Sequence, residues 1–420
     1  MTDTKPQSSA RDRAMATTFG VLLGLAAPLT AFGNAALGIA YGLAVLISLV
    51  SLRRQESRTL FIRPLRTRAA LAVGVMLIWW TVSAVFSADP AGSFEVIARV
   101  ALFGLAFCAV IQAAAQMRGA PRAAENAFVL GLAGVGVLAV LALAVDTGLL
   151  RLFKPLTEGP IYPQDMFNSY KSLLSIALPV AIWIAWRRPE IWVRLTVAVA
   201  LVTGLALILG LQGQVSFAAL GGFVGAAGAI SLLWVAGRLG RIARTVLIAG
   251  VLVAALGGGA VVLSKLPDAP ITEAVRDDPP LPAVDVHRQA IWGFVFGKAL
   301  ERPILGHGIN AIDKVEGAKQ EVLDFNQEYV PAHPHNWFLE ILSETGFPGL
   351  ILFATAIILS MIAVGRLTLR GRAGGWAAIA VMGAFWTSSL ANFSIWAAWW
   401  QIAYLAILAI PAAALMITRR

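Results

Sequence analysis

The sequence predicts an all-α polytopic membrane protein with about twelve transmembrane helices and one large loop on the outer side of the membrane. Composition is the first reason, since 58% of the 420 residues are hydrophobic and only 13% are charged, whereas a soluble domain carries about 25% charged residues. Apolar runs are the second reason, because stretches of roughly 20 apolar residues, enough to cross a bilayer as a helix, recur along the chain. The third reason is an alternation of charge between successive connections.

The apolar runs predict twelve spans, at residues 14–31, 34–52, 69–88, 94–117, 127–149, 169–186, 195–211, 214–235, 245–263, 337–364, 375–396 and 400–417. The first run could be a secretory signal peptide, but its length of about 18 residues and the second run directly behind it favour a retained helix. The predicted organisation has three parts: nine spans with short loops in 1–263, a large outer loop in 264–336, and three spans in 337–420.

Positive charge is concentrated in every second connection between the spans. The connections at 53–68, 118–122, 187–194, 238–244 and 366–372 are rich in arginine, and the other connections are almost free of lysine and arginine apart from two loops, 150–168 and 264–336. Loops rich in these residues stay in the cytoplasm, so we expect both termini there and the large loop outside. Topology and contact with anionic membrane lipids then explain the net charge of +10, and no nucleic acid partner is indicated.

All four histidines lie on the predicted outer side: His287, His307, His333 and His335. Histidine suits proton transfer because its pKa in water is about 6.5. His335 follows Pro334 and precedes the tenth span, so we expect it in the first turn of a helix, where it is the candidate catalytic base. Asn336 either caps that helix or orients a substrate. His333 is more typical of a loop residue, and His307, within Gly-His-Gly, is either a turn residue or a wall of the site.

The tenth span combines ionisable side chains with a predicted break. Glu340 and Glu344 lie four residues apart and therefore on one helix face. Ionisable groups in membrane segments are rare and usually functional, so these two are either part of a site or hydrogen-bond partners inside the bundle. Gly346 and Gly349, with Pro348 between them, are expected to interrupt the span about three turns after its start.

A few basic residues on the outer side indicate an anionic substrate. Arg288 stands at the start of an amphipathic pattern, HRQAIWGFVFGKALERP, and arginine binds phosphate oxygens in a bidentate manner. Lys171, Arg151 and Arg99 are further candidate substrate-binding residues. The alternatives are an ion pair of Arg99 with Glu95, four residues earlier, and a snorkelling role for Lys171. A lipid-linked diphosphate fits this charge, this depth and this side of the membrane.

Metal binding is the competing use of the histidines. A zinc site needs three or four ligands, whereas His333 and His335 are two residues apart, and the sequence contains neither H-E-x-x-H nor a paired-aspartate motif. The single cysteine, Cys108, lies inside an apolar run and offers neither an internal disulfide nor a cysteine metal site. We therefore expect no metal and no other cofactor.

Two stretches resemble the signatures of a known family. HNWFLEILSETGFPG, residues 335–349, resembles the His-Asn-x9-Gly-x-x-Gly signature of bacterial O-antigen ligases. RQAIW at 288–292 and RPILGHG at 302–308 are similar to the R-x-x-x-W … P-x-x-G-x-G segment of the wider ligase and polymerase superfamily. The predicted spans, with the large outer loop before the last three, resemble the family over nearly the whole chain, and the motif block at 288–350 carries the specificity.

The resemblance implies a membrane glycosyltransferase of the GT-C type in the bacterial inner membrane, with its active site on the periplasmic face. Such ligases transfer a glycan from undecaprenyl diphosphate to a sugar hydroxyl of lipid A–core, without nucleotide or metal. A single displacement would invert the anomeric centre. Carried over to this sequence, His335 is the catalytic residue and Arg288 binds the diphosphate.

One position departs from the family pattern. The turn between the seventh and eighth predicted spans reads LQGQVSF, and Gln214 stands where an arginine is expected. Either another basic residue near the site supplies the missing positive charge, or Gln214 does not correspond to the family's arginine position. The candidates for that role are Lys171, Arg151 and Arg99.

Three other functions are compatible with parts of the sequence. An O-antigen polymerase uses the same donor with a second lipid-linked glycan as acceptor; the short 150–168 loop favours the ligase, because polymerases carry two sizeable outer loops. A protein O-oligosaccharyltransferase shares the His-Asn motif, and the sequence does not exclude it. A lipid or sugar transporter would need ionisable residues deep in several spans and usually repeat symmetry, neither of which is evident.

Overall fold

A computed structural model describes residues 9–53, 55–155, 161–163, 166–268, 272–282, 284–322 and 326–416. Its α-helices are α1 (Ala10–Ala26), α2 (Asn34–Ser51), α3 (Gln55–Leu65), α4 (Arg68–Val85), α5 (Pro90–Gln116), α6 (Ala120–Ala144), α7 (Asn168–Arg187), α8 (Ile191–Ile208), α9 (Phe217–Arg238), α10 (Arg241–Leu263), α11 (Glu273–Asp277), α12 (Val286–Glu301), α13 (Trp337–Leu369), α14 (Gly375–Ser388) and α15 (Ala398–Met416). Short 3-10 helices occupy Pro28–Phe32, Thr147–Leu152 and Ile312–Lys314, and β1 (Glu321–Val322) pairs antiparallel with β2 (Gln327–Glu328).

The prediction of an all-α polytopic membrane protein is confirmed. Within the described ranges, 10 helices are long and apolar enough to cross a membrane, namely α2, α4 to α10, α13 and α15. The predicted spans 14–31 and 375–396 are too long. The first forms α1, which has 17 residues and ends where Pro28 starts a 3-10 helix. The second forms α14, which has only 14 residues, because the chain after Ser388 leaves the helix to make tertiary hydrogen bonds. The prediction that both termini are cytoplasmic concerns residues 1–8 and 417–420, which lie outside the described residues.

The bundle is held together by close helix contacts. α1 lies so near α6 that a Cβ atom on Gly20 would stand 2.4 Å from the carbonyl oxygen of Ala120, and one on Gly24 would stand 2.3 Å from that of Ala124. Membrane helices approach each other in this way where small residues face each other, because lipid tails provide little drive to bury larger apolar groups. The contact therefore depends on shape and not on polar groups.

α10 lies at the edge of the bundle and contacts α9. None of its residues is buried, although the helix is apolar enough to cross a membrane. A helix that is apolar on all sides must be covered by protein or lipid, and because α9 is its main neighbour in the bundle, we expect α10 to face lipid.

The chain between α10 and α13 folds over one end of the bundle, which we refer to as the outer end. The predicted amphipathic helix is present as α12, and it packs its apolar side chains into a small separate core. Phe294 of α12 stacks on Tyr329, which follows β2, with 5.2 Å between ring centroids. This core fixes α12, and with it the first turn that carries Arg288, relative to the chain that leads into α13.

Candidate functional site

α13 is broken near its outer end, as the glycine pattern predicts. Gly346 has φ 69° and ψ 179°, a conformation that is essentially restricted to glycine. A Cβ atom there would also stand 2.1 Å from the carbonyl oxygen of Ile304. The amide of Phe347 donates to the carbonyl of Pro303 at 2.8 Å. The 302–308 motif therefore lies directly against the helix break.

The carbonyl groups of the two residues Ser343 and Glu344, which precede the break, also have hydrogen-bond partners. The amides of His307 and Gly308 donate to the carbonyl oxygens of Ser343 and Glu344, at 3.0 and 2.9 Å. The His307 ring places Nε2 2.8 Å from the carbonyl oxygen of Lys298, and burial lowers the pKa of His307. His307 thus forms part of the turn that closes the break.

Glu344 connects the break to the loop that precedes α13. Its carboxylate accepts hydrogen bonds from the backbone amides of Asn310, Ala311 and Ile312, at 2.8, 3.2 and 3.3 Å. It also accepts one from the indole of Trp396. Of the two roles that the sequence allowed for this residue, the structure displays the hydrogen-bond partner inside the bundle.

Glu340 holds a second irregular stretch, residues 389–397 between α14 and α15, which we name the 389–397 segment. Its carboxylate accepts hydrogen bonds from the Ser394 hydroxyl and from the backbone amide of Ile395, the latter at 2.9 Å. Irregular backbone within a membrane protein must be enclosed by protein and fully hydrogen-bonded. The two carboxylates of α13 meet this requirement for the chain on both sides of them.

His335 lies two residues before α13, so the prediction that it occupies the first helical turn is wrong. Asn336 is the N-cap instead, and its Oδ1 accepts from the amides of Phe338 and Leu339 at 3.0 and 3.2 Å. His335 has φ 55°, which is uncommon for a residue other than glycine and is often found at functional sites.

The His335 ring is packed among polar groups at the outer end. Its Nδ1 lies 3.1 Å from the backbone oxygen of Asn392, and the His333 ring meets it edge to face with 4.1 Å between centroids. Burial, and then the nearby His333 and Arg288, lower the pKa of His335 to about 4. Burial also lowers the pKa of His333 to about 4. Both rings are therefore neutral at neutral pH.

Arg288 comes to the same place from α12. Its Nη1 donates to the carbonyl oxygen of Ala391 at 3.1 Å, and the helix start is fixed by Asp285, whose side chain accepts from the Arg288 amide. Consecutive carbonyl groups of the 389–397 segment thus hold the two residues to which the sequence assigns the chemistry, His335 and Arg288.

Lys171 and Gln214 lie in contact with each other. Lys171 is 2% exposed, and its Nζ donates to the backbone oxygen of Gln214 at 3.1 Å. The next residue, Ser172, donates from its hydroxyl to Oδ1 of Asn392 at 3.1 Å. The first turn of α7 is therefore joined to the segment that holds His335.

The other two basic candidates have different surroundings. Arg99 pairs with Glu95 at 2.9 Å, the alternative that their spacing suggested, and its Nη2 donates to the carbonyl oxygen of Trp396 at 2.9 Å. Arg151 is exposed on a short 3-10 helix. Of these two, Arg99 is the one whose side chain is hydrogen-bonded to the 389–397 segment within the described ranges.

The sequence reasoning missed the 389–397 segment. It placed most of these residues in an apolar span, yet they supply the carbonyl groups that hold His335 and Arg288. The available signal was polarity, because Asn392 and Ser394 interrupt the run.

Within the described ranges, no three His, Cys, Asp or Glu side chains are grouped so that they could hold a metal ion.

Part of this site lies within a stretch that matches a known family, since Arg288, His335 and the two carboxylates of α13 fall inside the matched residues and Lys171 and the 389–397 segment fall outside. Residues 205–354, which run from the end of α8 through the break in α13, match the family model described as O-Antigen ligase. Relatives named "Putative polysaccharide ligase" are 32% identical over 118 residues in Rickettsia conorii and 29% identical over 126 residues in Rickettsia typhi. These alignments cover 27% and 29% of this chain, and 28% and 30% of the relatives. The chain thus spans less than a third of the length of the curated relatives it matches.

Proposed function

We propose that the chain is a membrane glycosyltransferase that ligates a polysaccharide, because residues 205–354 match the O-antigen ligase family model. The donor is a glycan carried on undecaprenyl diphosphate, and the acceptor is a sugar hydroxyl of lipid A–core. The protein lies in the bacterial inner membrane with both termini in the cytoplasm, has a GT-C type of organisation, and works at the periplasmic face without nucleotide or metal. The carrying observation is the placement of His335 beside Arg288 at the outer end.

The proposed reaction is a single displacement. The oxygen of the acceptor hydroxyl attacks the anomeric carbon, the bond from that carbon to the diphosphate oxygen breaks, and the diphosphate leaves with the electron pair. The hydroxyl proton passes to His335, which is free to accept it because its pKa of about 4 keeps the ring neutral. Positioned bases contribute about 10²–10⁴-fold, and a base of low pKa lies toward the lower end of that range because it binds the proton weakly. The displacement inverts the anomeric centre.

Two cations stabilise the leaving group in this proposal. Arg288 binds the diphosphate oxygens, for which its planar guanidinium is suited. Lys171 is the second cation, because its ammonium group contacts the backbone of Gln214, at the turn where the family pattern has an arginine. Each well-placed donor of this kind contributes about 3 kcal/mol to the transition state.

Reconstitution tests the proposal. The purified protein is mixed in EDTA with undecaprenyl-diphosphate-linked glycan, lipid A–core and a pilin-like protein. Glycan on lipid A–core supports the ligase. Longer lipid-linked chains would make it a polymerase, glycan on the pilin a protein oligosaccharyltransferase, and donor movement across vesicles without transfer a transporter.

The role of Arg288 is tested in the same assay. Arg288→Ala is expected to slow transfer about 100-fold, which corresponds to the loss of about 3 kcal/mol. Arg302→Ala is the matched control, since this arginine also lies in the outer segment but contacts the carbonyl of Phe86. Equal rates for the two variants would contradict the assignment of Arg288.

A further inference from the structure

The hydrogen bond of the His335 ring determines which nitrogen carries the proton. A neutral imidazole has one N–H donor and one nitrogen that can only accept. The backbone oxygen of Asn392 can only accept, and it lies 3.1 Å from Nδ1. Nδ1 must therefore carry the hydrogen, and Nε2 carries the lone pair. In the part of the chain that the structure describes, this is the one hydrogen bond that the ring makes.

The carbonyl group of Asn392 is itself held firmly. The residue is 6% exposed, and its Oδ1 accepts from the hydroxyl of Ser172 in α7 at 3.1 Å. Its Nδ2 donates to the hydroxyl of Ser388 at the end of α14, at 2.9 Å. Glu340 of α13 fixes the same segment two and three residues further on. Three helices thus set the direction in which the carbonyl points.

The turn that contains Asn392 also sets the distance between the His335 ring and the Arg288 guanidinium. The carbonyl of Ala391, one residue earlier, accepts from Arg288 at 3.1 Å. The two carbonyl oxygens belong to one short turn, which is held by the side-chain hydrogen bonds of Asn392 and by those of Glu340. A shift of the turn would therefore displace the His335 ring and the Arg288 guanidinium together.

We propose that Asn392 is a positioning residue that fixes the tautomer and orientation of His335, so that Nε2 is the atom that takes the acceptor proton. Asn392 acts through its backbone oxygen and touches no reacting atom. Its side chain serves to anchor that oxygen to α7 and α14. The inference rests on the proposed function, because it names the working atom of the proposed base.

The test reads the tautomer directly. The full chain, labelled with ¹⁵N-histidine and placed in lipid nanodiscs, contains only 4 histidines, and His335→Asn identifies the His335 signals by their loss. The wild type is expected to show a protonated Nδ1 and an unprotonated Nε2. Asn392→Ala is expected to populate both tautomers and to lower kcat about tenfold without changing KM for the donor, as part of the base contribution is lost.

Two serines provide a milder variant and a control. Ser172→Ala removes one of the two side-chain bonds of Asn392 and is expected to change both readouts in the same direction, by about threefold in kcat, the worth of one neutral hydrogen bond. Ser175→Ala is the control: this buried serine of α7 donates to the carbonyl of Ser172 in its own helix, and both readouts should stay at wild-type values. If Asn392→Ala fails to fold, the tautomer signals and kcat of Ser172→Ala test the positioning role in its place.

The outcomes separate the positioning role from the proposed function. A wild-type spectrum with Nε2 protonated overturns the positioning role, as does an unchanged tautomer in Asn392→Ala together with reduced transfer. Mixed tautomers in Asn392→Ala together with transfer at the wild-type rate would support the positioning role of Asn392 and overturn the role of His335 as the base. The expected spectra in a wild type that transfers no glycan would overturn the proposed function alone.

Discussion

The contact between α1 and α6 and the broken region of α13 are stabilised by different interactions. In the first, Gly20 and Gly24 bring the helix within van der Waals distance of the α6 backbone. In the second, the chain leaves the helix at Gly346 and in the 389–397 segment. There, Glu340 and Glu344 accept hydrogen bonds from backbone amides and side chains that the irregular chain frees.

The difference explains why the two acidic residues of α13 lie near its outer end. A regular helix satisfies its own backbone, so packing it in a membrane requires only matching shapes. A broken helix must find partners for the groups it exposes, and a carboxylate can accept several hydrogen bonds at once. In this protein, the two carboxylates support the loops, and the loops hold His335 and Arg288.

Removing the carboxylate of Glu344 should have the largest effect on stability. Glu344→Ala leaves the amides of Asn310, Ala311 and Ile312 without their acceptor, and each unpaired buried donor costs about 1–3 kcal/mol. We expect a loss of about 4 kcal/mol or more in the free energy of unfolding, measured by denaturant titration in detergent. Glu344→Gln retains one acceptor oxygen and should lose less. Equal stabilities for wild type and Glu344→Ala would refute the supporting role.

A side chain at the helix break should have the next largest effect. Gly346→Ala introduces a Cβ atom 2.1 Å from the carbonyl oxygen of Ile304 in a conformation that only glycine adopts readily, and we expect a loss of about 3 kcal/mol. Gly258→Ala is the control, because that helical glycine of α10 has open space around it and alanine is favoured in helices by up to about 1 kcal/mol. A loss of equal size in both variants would show that the break is not the cause.

A variant in the α1–α6 contact tests whether this region affects stability without affecting transfer. Gly20→Ala places a Cβ atom 2.4 Å from the carbonyl oxygen of Ala120, and overpacking of this kind costs about 1–3 kcal/mol. We expect the melting temperature to fall while transfer per folded molecule stays at the wild-type rate, since the contact makes no bond with the site. A fall in transfer at unchanged stability would break the separation of the two regions.

The smallest expected effect is that of pH on the transfer rate. A base with a pKa of about 4 stays deprotonated down to pH 5, so the rate at pH 5 should lie within about twofold of that at pH 7. With a base of the ordinary pKa of about 6.5, the rate would fall about 25-fold between pH 7 and pH 5. The groups that face His335 are His333, Arg288 and His287. Steady-state rates across this range, corrected for the folded fraction, decide between the two.

Stability should depend on pH more than the rate does. The pKa of His335 and His333 is lowered on folding, to about 4 in each case, so the unfolded chain binds more protons between pH 6.5 and 4. The free energy of unfolding is therefore expected to have its full value above pH 6.5 and to decrease as the pH falls from 6.5 to 4. His333→Gln should weaken that dependence, which denaturant titrations at pH 7 and pH 5 would reveal.

Much of the fold and part of the site could be predicted from the sequence. Apolar runs of sufficient length indicate membrane helices regardless of their partners, and a Gly-Phe-Pro-Gly stretch indicates a break because of local backbone geometry. The motif resemblance singled out Arg288 and His335, which the structure holds on adjacent carbonyl groups. These features depend on neighbouring residues or on short patterns, which a single sequence contains.

The 389–397 segment could not be predicted in this way. Its shape depends on bonds between residues far apart in the chain, such as Ser172 with Asn392 and Glu340 with Ile395. In an apolar sequence, these residues resemble the end of an ordinary span. The same reason explains the position of His335 outside α13, since the hydrogen bonds of Asn336 set the helix start.

The most direct test of the central claim is glycan transfer by His335→Asn in the reconstituted assay. Asparagine tolerates the left-handed backbone conformation of this position, so the variant should keep the fold, which its melting temperature and tryptophan fluorescence would verify. If His335 is the base, transfer to lipid A–core should fall by about 10²-fold or more. A folded His335→Asn protein that transfers within threefold of the wild-type rate would contradict the account.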